Sequence, residues 1–410
     1  MNFAFGLPQR RMPYGVFLHP GPARSGETQP FLPRYIHDPR VERTTSMDAE
    51  TSICTVRACA TADAQMTNLH DTSARTEIVR RIARLCGGEV ASAEGTPRPG
   101  QFLVPDDTML MSAAAALGIR QENQLYGGVV PERFVATKII SHGLPFADAR
   151  APAGWAHDLA ANLGDAVLRG FSVFAQADAQ AAGRLLLEHG PIRLKDVQAT
   201  SGRGQTVVRD IAQLDEAILA LETHELRTSG LVIEENLEDV RTYSVGLVRL
   251  FGHSVAYWGT QALTVSNFGE EVYGGSQLHC VRGGWDELLA MDLDPELAEV
   301  VDKARRYDAA VFAAYPAMFA SRRNYDVAAG RDRHGRPRLG VLEQSWRVGG
   351  ASGAEIAAFE AFAADPSLVQ VNAATVEIYG EADAAPAGAA VYFSGMDPVV
   401  GPLTKYAAVQ

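Results

Sequence analysis

Four residues stand out because the rest of the chain has so few like them. Of 37 basic residues only Lys138, Lys195, Lys303 and Lys405 are lysines. A guanidinium fork cannot replace a compact ammonium in a narrow site, so a lysine kept in an arginine-rich chain is there either by chance or because a point charge is needed, and each of the four is read on its own. Lys195 ends the run PIRLK and is followed by ATSGRGQ, which holds Gly202, Arg203, Gly204 and Gln205. Successive backbone N–H groups in such a loop can wrap phosphate oxygens while the ammonium neutralises them. The plainer reading is a glycine-rich hairpin beside a chance lysine. A P-loop is excluded, because no lysine follows a G-x-x-x-x-G run, and a dinucleotide fingerprint lacks its third glycine. Lys303, within a helical run beside Arg305 and Arg306, reads as surface charge.

The second constellation is acidic. NYDV…GVLEQSWRVGG carries Asp326 and Glu343 at the outer ends of what reads as two strands joined by a polar loop around His334–Gly335. Antiparallel pairing would bring those ends side by side. A carboxylate pair so placed can hold Mg²⁺ together with substrate phosphates. Ser345 and Arg347 share the face of Glu343 by the two-residue strand period, and Arg347 could clamp a phosphate or carboxylate. The competing reading is a surface salt-bridge cluster. YWGTQ (257–261) and VYGGSQLHCVRGG (272–284), which includes Arg282, combine aromatic, amide and glycine groups; packing strands explain them more simply than an acceptor pocket. His142, His224 and His253 have no partner motif and read as structural or solvent-facing.

The elements that must position these groups follow from periodicity. TEIVRRIARLCGG, with Ile78, Ile82 and Leu85 on one face and Gly87–Gly88 after it, predicts a helix with a glycine stop. QFLVP (101–105) predicts a buried strand and TMLMSAAAALGI a helix. Helical stretches are expected near 154–168 and 177–189, then strands PIRLK and TVVR. Asp210 caps a helix whose buried face is Ile211, Leu214, Ile218 and Leu221. GLVIEE (230–235), TYSVGLVRL and HSVAYWG read as strands, the last two antiparallel, and a long helix is expected near 295–320. Residues 1–46, with seven prolines and six arginines, read as a disordered tail or as sequence upstream of a start at Met47 or Met66. Order is expected from about Thr72, which assigns residues 1–70 to the tail.

Taken together, the order of these stretches resembles the ATP-grasp superfamily over residues ~100–350, closest to an uncharacterised proteobacterial group within it. The matching pieces are ATKIISHGLP, IRLK…SGRGQ, VIEENL and Asp326…EQSWR. The resemblance implies an α/β (α+β) fold with two subdomains gripping ATP. A short N-terminal α/β domain (71–136) would precede a lid subdomain (137–235) and a C-terminal catalytic subdomain (236–410). It implies that Lys138 and Lys195 contact ATP phosphates and that Gly202, Arg203, Gly204 and Gln205 close over them. Glu234, Glu235, Asn236 and Leu237 would form the hinge whose backbone reads adenine, and Asp326, Glu343 and Ser345 would hold Mg²⁺. Arg347 and Arg282 would steady charge as a small-molecule carboxylate is activated as an acyl phosphate for attack by an amine. Ser345 stands where that family has asparagine, and only Glu238 or Asp239 is placed to bind ribose. A biotin-carboxylase-like enzyme is a rival, against which Val348-Gly349-Gly350-Ala351 replaces the expected Q-V-E-H. A nucleotide-binding regulatory protein without catalysis is another.

Composition narrows the classes. A net charge of −12 lacks the basic face of a nucleic-acid binder, and no apolar run reaches the ~20 residues of a membrane span. The four cysteines (Cys54, Cys59, Cys86, Cys280) form no C-x-x-C pair, so reduced thiols and a cytoplasmic location are expected. Oligomeric state is open.

Overall fold

The computed structural model describes residues 54–61, 68–198, 204–380 and 385–410. These residues form a mixed α+β fold with four sheets among them. The first 53 residues, and with them the expected 1–46 tail, lie outside the described residues.

The chain begins with β1 (Thr55–Cys59), α1 (Leu69–Leu85), β2 (Glu89–Val90) and β3 (Phe102–Pro105), which form a parallel sheet in the order β2-β1-β3. Here the expected boundary fails: β1 is the middle strand, Val56 is fully buried in it, and order starts well before Thr72. The strand is too short and too polar in its flanks to announce itself. The helix expected over 76–86 is α1, longer at its N-terminus, and Gly87 (φ +63°) ends it. Next come β4 (Met109–Leu110), α2 (Met111–Ala116) and β5 (Gly128–Val130).

A four-stranded sheet, ordered β6-β9-β7-β8, follows. It is built by α3 (Leu159–Leu163), β6 (Gly170–Val173), α4 (Gln176–Leu187), β7 (Ile192–Asp196), β8 (Gln205–Val208), α5 (Ile211–Leu219), α6 (Thr223–Thr228) and β9 (Leu231–Glu235). The Asp210 side chain accepts from Gln213 N at 2.9 Å, the expected cap of α5. Leu214 and Ile218 are buried, whereas Ile211 is exposed because it precedes the turn that faces the sheet. Of the helix expected over 154–168 only the five residues of α3 form.

The remaining elements are β10 (Glu238–Leu250), β11 (His253–Val265), β12 (Glu271–Arg282), α7 (Trp285–Leu289), α8 (Pro295–Ala314), β13 (Phe319–Ala320), β14 (Arg322–Arg331), β15 (Pro337–Ser345), α9 (Ser352–Ala364), β16 (Gln370–Tyr379), β17 (Ala390–Asp397) and β18 (Gly401–Val409). Eight of these strands form one sheet, ordered β15-β14-β10-β11-β12-β16-β18-β17. One face packs on α8, whose start is set by Pro295 and the Asp294 cap on Leu297 N, around Val245, Tyr307, Tyr325 and Val327. The other packs on α9 and α1 around Tyr257, Leu278, Ala357 and Ala373. Lys303, expected on the surface, is buried: its Nζ donates to Asp165 O at 2.6 Å and Leu339 O at 3.1 Å. A helix packed on a sheet can bury an ammonium when main-chain carbonyls meet it, a contact that sequence periodicity does not reveal. Among the described residues no helix is long and apolar enough to cross a membrane.

Candidate functional site

The β14–β15 hairpin is set by its turn. Asp332 accepts from the backbone N–H groups of His334 and Arg336 at 2.9 and 3.1 Å, and Gly335 takes a positive φ of +72° that favours glycine. This register makes Asp326 and Glu343 direct cross-strand partners, as the sequence predicts. A bulge then leaves Leu342 without a partner, since Val327 already faces Val341. The extra residue re-aims the end of β15, and Leu342 O accepts from Ser141 Oγ at 3.3 Å.

Lys138 reaches this hairpin from a short 3₁₀ turn, Lys138–Ser141, capped by the Thr137 hydroxyl. Its Nζ lies 3.1 Å from Glu343 Oε2, and the lysine is itself buried. Gln344 locks the arrangement: its Nε2 donates to Val135 O at 3.0 Å and Thr137 O at 2.7 Å, while its Oε1 accepts from Tyr307 at 2.7 Å. Glu343 and the segment just ahead of Lys138 are thus tied by the adjacent amide. Asp326 receives Gln261 Nε2 at 2.8 Å and Ser244 Oγ at 3.4 Å, both on Oδ1. Burial, then the charge of Glu343, pushes its carboxyl up to about 7, against the pull of those two donors. Two carboxylates forced together in this way are an arrangement that a dication relieves; among the described residues no group of three or more His, Cys, Asp or Glu gathers, so the pair fits Mg²⁺ where phosphate oxygens complete its shell.

Lys195 stands at the end of β7, opposite Gln205 on β8. Its Nζ is 2.5 Å from Glu234 Oε1, and His142 Nε2 is 3.3 Å from Glu234 Oε2. Burial alone would raise the Glu234 carboxyl; the Lys195 ammonium and the His142 hydrogen bond overcome it and hold the group at about 2. His142, expected to be structural, is therefore a neighbour of the lysine site. Its ring lies against Gly170, where an added Cβ would come within 2.7 Å of it.

The expected hinge is partly spent. Glu235 N donates to Arg169 O and Asn236 N to Pro191 O, each at 2.9 Å, so these two N–H groups are not available to a base. The Glu235 carboxylate pairs with Arg338 at 2.6 Å, tying the end of β9 to β15. Arg193 bridges Gln205 Oε1 at 3.0 Å and Asn236 Oδ1 at 2.8 Å; the Gln205 side chain therefore turns to β7 and not over a ligand. Leu237 is buried. Gly204 O accepts from Asp196 N at 2.9 Å, and Gly202 and Arg203 lie outside the described residues.

Three expected roles meet obstacles. Ser345 pairs with Asn324 and its hydroxyl accepts from Arg322 Nη1 at 3.3 Å; an oxygen facing a guanidinium is a poor ligand for a dication. Arg282 is not brought to the carboxylates. It stacks on Phe362 and donates to the carbonyls of Leu368 (3.0 Å) and Phe362 (2.8 Å), fastening β12 to the end of α9. Arg347 follows β15, half-exposed, 3.7 Å from Asp107. The roles of Gln344 and Arg322 have no spacing signature in the sequence, and Gln261 enters there only as the end of YWGTQ, a stretch that reads more simply as packing. A cavity of about 440 Å³, lined by Asp165, Arg169, Glu299, Lys303 and Arg338 among others, includes none of the Asp326, Glu343, Lys138 or Lys195 side chains.

The profile of a protein family described as "Protein of unknown function (DUF3182)" matches residues 58–407. Comparison with curated proteins gives no match. Among solved structures, the chain is similar to N5-carboxyaminoimidazole synthetase from Staphylococcus aureus, at 9% identity over 87% of this chain and 93% of that one, with a TM-score of 0.45. It is similar to biotin carboxylase from Campylobacter jejuni in a beta-gamma-ATP complex, at 9% identity over 88% of each chain and a TM-score of 0.45. It is also similar to D-alanyl-alanine synthetase A from Vibrio cholerae, at 14% identity over 72% of this chain and 88% of that one, with a TM-score of 0.44.

Proposed function

The chain belongs to the DUF3182 family, and we propose that this member is an ATP-grasp ligase that spends ATP to join a carboxylate to an amine. The observation that carries the reading is the meeting of Asp326, Glu343 and Lys138: two register-paired carboxylates with a buried ammonium 3.1 Å from one of them. Lys195 supports it as a second buried ammonium at a strand end beside the glycine loop.

In this reading Asp326 and Glu343 hold Mg²⁺, which supplies charge neutralisation for the phosphates. Lys138 and Lys195 neutralise phosphate oxygens from the two sides. A carboxylate oxygen of the first substrate attacks the γ-phosphorus, the bond to the bridging oxygen breaks, and ADP leaves. The amine lone pair then attacks the acyl carbon; phosphate departs and the nitrogen loses a proton. Little covalent chemistry is asked of the protein, which positions and neutralises. Arg347, which follows the same hairpin, would leave Asp107 to meet the carboxylate or its acyl phosphate through a bidentate fork.

The test is trapping. The protein with Mg-ATP, a pool of carboxylates and hydroxylamine should give hydroxamate and ADP in equal amounts. Release of ADP that no carboxylate stimulates would refute the ligase reading, and absence of ATP binding would refute the nucleotide reading.

A further inference from the structure

Glu355, in the first turn of α9, is fully buried, and so is the guanidinium of Arg322 that meets it. Arg322 Nε and Nη2 each reach a Glu355 oxygen at 2.9 Å, a bidentate pair. Tyr257 donates its hydroxyl to Glu355 at 2.5 Å, Tyr126 donates a further one, and Asn324 Nδ2 donates to the Tyr257 hydroxyl at 3.1 Å. One carboxylate therefore gathers donors from the segment before β5, from β11 and from β14. The third nitrogen of Arg322 points elsewhere. Nη1 donates to Ser345 O at 3.2 Å, Ser345 Oγ at 3.3 Å and Arg347 O at 2.5 Å.

Apolar residues of similar volume fill a core at no loss of stability, and often with a gain, compared with a buried ion pair. Core filling therefore does not account for this one. What the pair does and an apolar pair cannot is grip three acceptors on Ser345 and Arg347, two and four residues past the carboxylate Glu343. Asp326 lies four residues along β14 from the same Arg322.

We infer that Arg322, oriented by Glu355, is a positioning residue that shapes the Glu343–Arg347 segment so that Glu343 can act on Mg-ATP. The inference rests on the reading of this site as an Mg-ATP site. Nothing in it requires Arg322 to touch the nucleotide, since its guanidinium is spent on the pair and on the segment's carbonyls.

Two variants test it. Arg322→Met/Glu355→Gln removes both charges while leaving an amide oxygen for the tyrosine hydroxyls. Arg322→Lys keeps a charge against Glu355 but cannot reach Ser345 and Arg347 at once. ATP affinity is measured by calorimetry in EDTA and in excess Mg²⁺, alongside the thermal melt. The expected result is a cooperative melt, ATP affinity in EDTA unchanged, and the tightening by Mg²⁺ reduced by about 10- to 100-fold, the range seen when a partner that orients a metal ligand is lost. A folded variant whose Mg²⁺ tightening equals that of the wild type overturns the assignment. Loss of cooperative folding in both variants makes the pair a fold element and also overturns it. A wild type that binds no ATP refutes the proposed function together with this inference, whereas wild-type tightening retained in the variants refutes this inference alone.

Discussion

Replacing Lys195 by methionine should damage the protein twice, and the two injuries can be separated. Glu234 is 2% exposed, and its strongest stabilising partner is the Lys195 ammonium at 2.5 Å. Removing one member of a buried pair leaves an uncompensated charge, at a cost of about 3–5 kcal/mol. With roughly 350 residues unfolding together at about 2.1 cal/mol/K each, the melting entropy is about 0.7 kcal/mol/K, so the melting temperature should drop by about 4–7 °C. Lys195→Met/Glu234→Leu removes the stranded charge and should recover most of the drop. ATP at 100 times its Kd should stabilise the wild type by about 2.7 kcal/mol, or about 4 °C by the same entropy. Neither variant should show that shift. Calorimetric melts at pH 7, with and without ATP, read both effects. A single variant that melts like the wild type would refute the buried-pair reasoning, and a double variant that keeps the ATP shift would place the nucleotide away from Lys195.

Glu343→Gln should leave ATP binding in EDTA within a few-fold of wild type but abolish its tightening by Mg²⁺, read by calorimetry; unchanged tightening would remove Glu343 from the metal site. The Glu234 carboxyl sits near 2 against an ordinary 4.5, so its contribution is present above pH 4.5 and is lost as pH falls toward 2, by linkage about 3 kcal/mol in all. Glu234→Gln should therefore flatten the acid limb of a stability–pH profile measured by denaturant melts. A chain beginning at Met66 lacks β1, the middle strand of its sheet, and should show no cooperative near-UV transition; a normal melt would mean that β2 and β3 stand without it. Lys303→Met should lower the melting temperature without altering ATP affinity, because its bonds are to Asp165 O and Leu339 O.

The parts of this site that sequence exposed are those that follow local rules. Strand period and a polar turn are enough to place Asp326 against Glu343, whereas the scarcity of lysine marks all four lysines alike; the glycine loop after Lys195 and the family resemblance at Lys138 single those two out. Lys303 is marked by the same scarcity but reads as surface from its helical run beside Arg305 and Arg306, since nothing local says that a helix will be pressed onto carbonyls of a distant strand. Arg322 and Glu355 are 33 positions apart, with no periodicity linking them, and their pairing exists only after α9 lies on the sheet. Gln344 sits inside the very motif that was read, yet its role depends on Val135 and Thr137, more than 200 positions away. Strand β1 was lost because its burial comes from α1, β3 and the large sheet together and not from its own alternation.

The place of β18 between β16 and β17 has a consequence for synthesis on the ribosome. The most C-terminal of the described strands is an interior one, and β17 rests on α1, where Ser73 Oγ donates to Tyr392 O at 2.9 Å and His70 N to Asp397 at 2.9 Å. Helix α1 ends at residue 85 and β18 at residue 409, so 409 − 85 = 324 residues must be made in between. At roughly 5–20 residues per second this takes roughly 16–65 s. Until its end the cluster that buries Ile78, Val79 and Ile82 of α1 is incomplete, because it also includes Ala357 and Phe359 of α9, Tyr392 of β17 and Ala407 of β18. The nascent chain therefore carries an adhesive helix for most of its elongation, and its yield in a cell should follow holdase supply more closely than the stability of the finished fold.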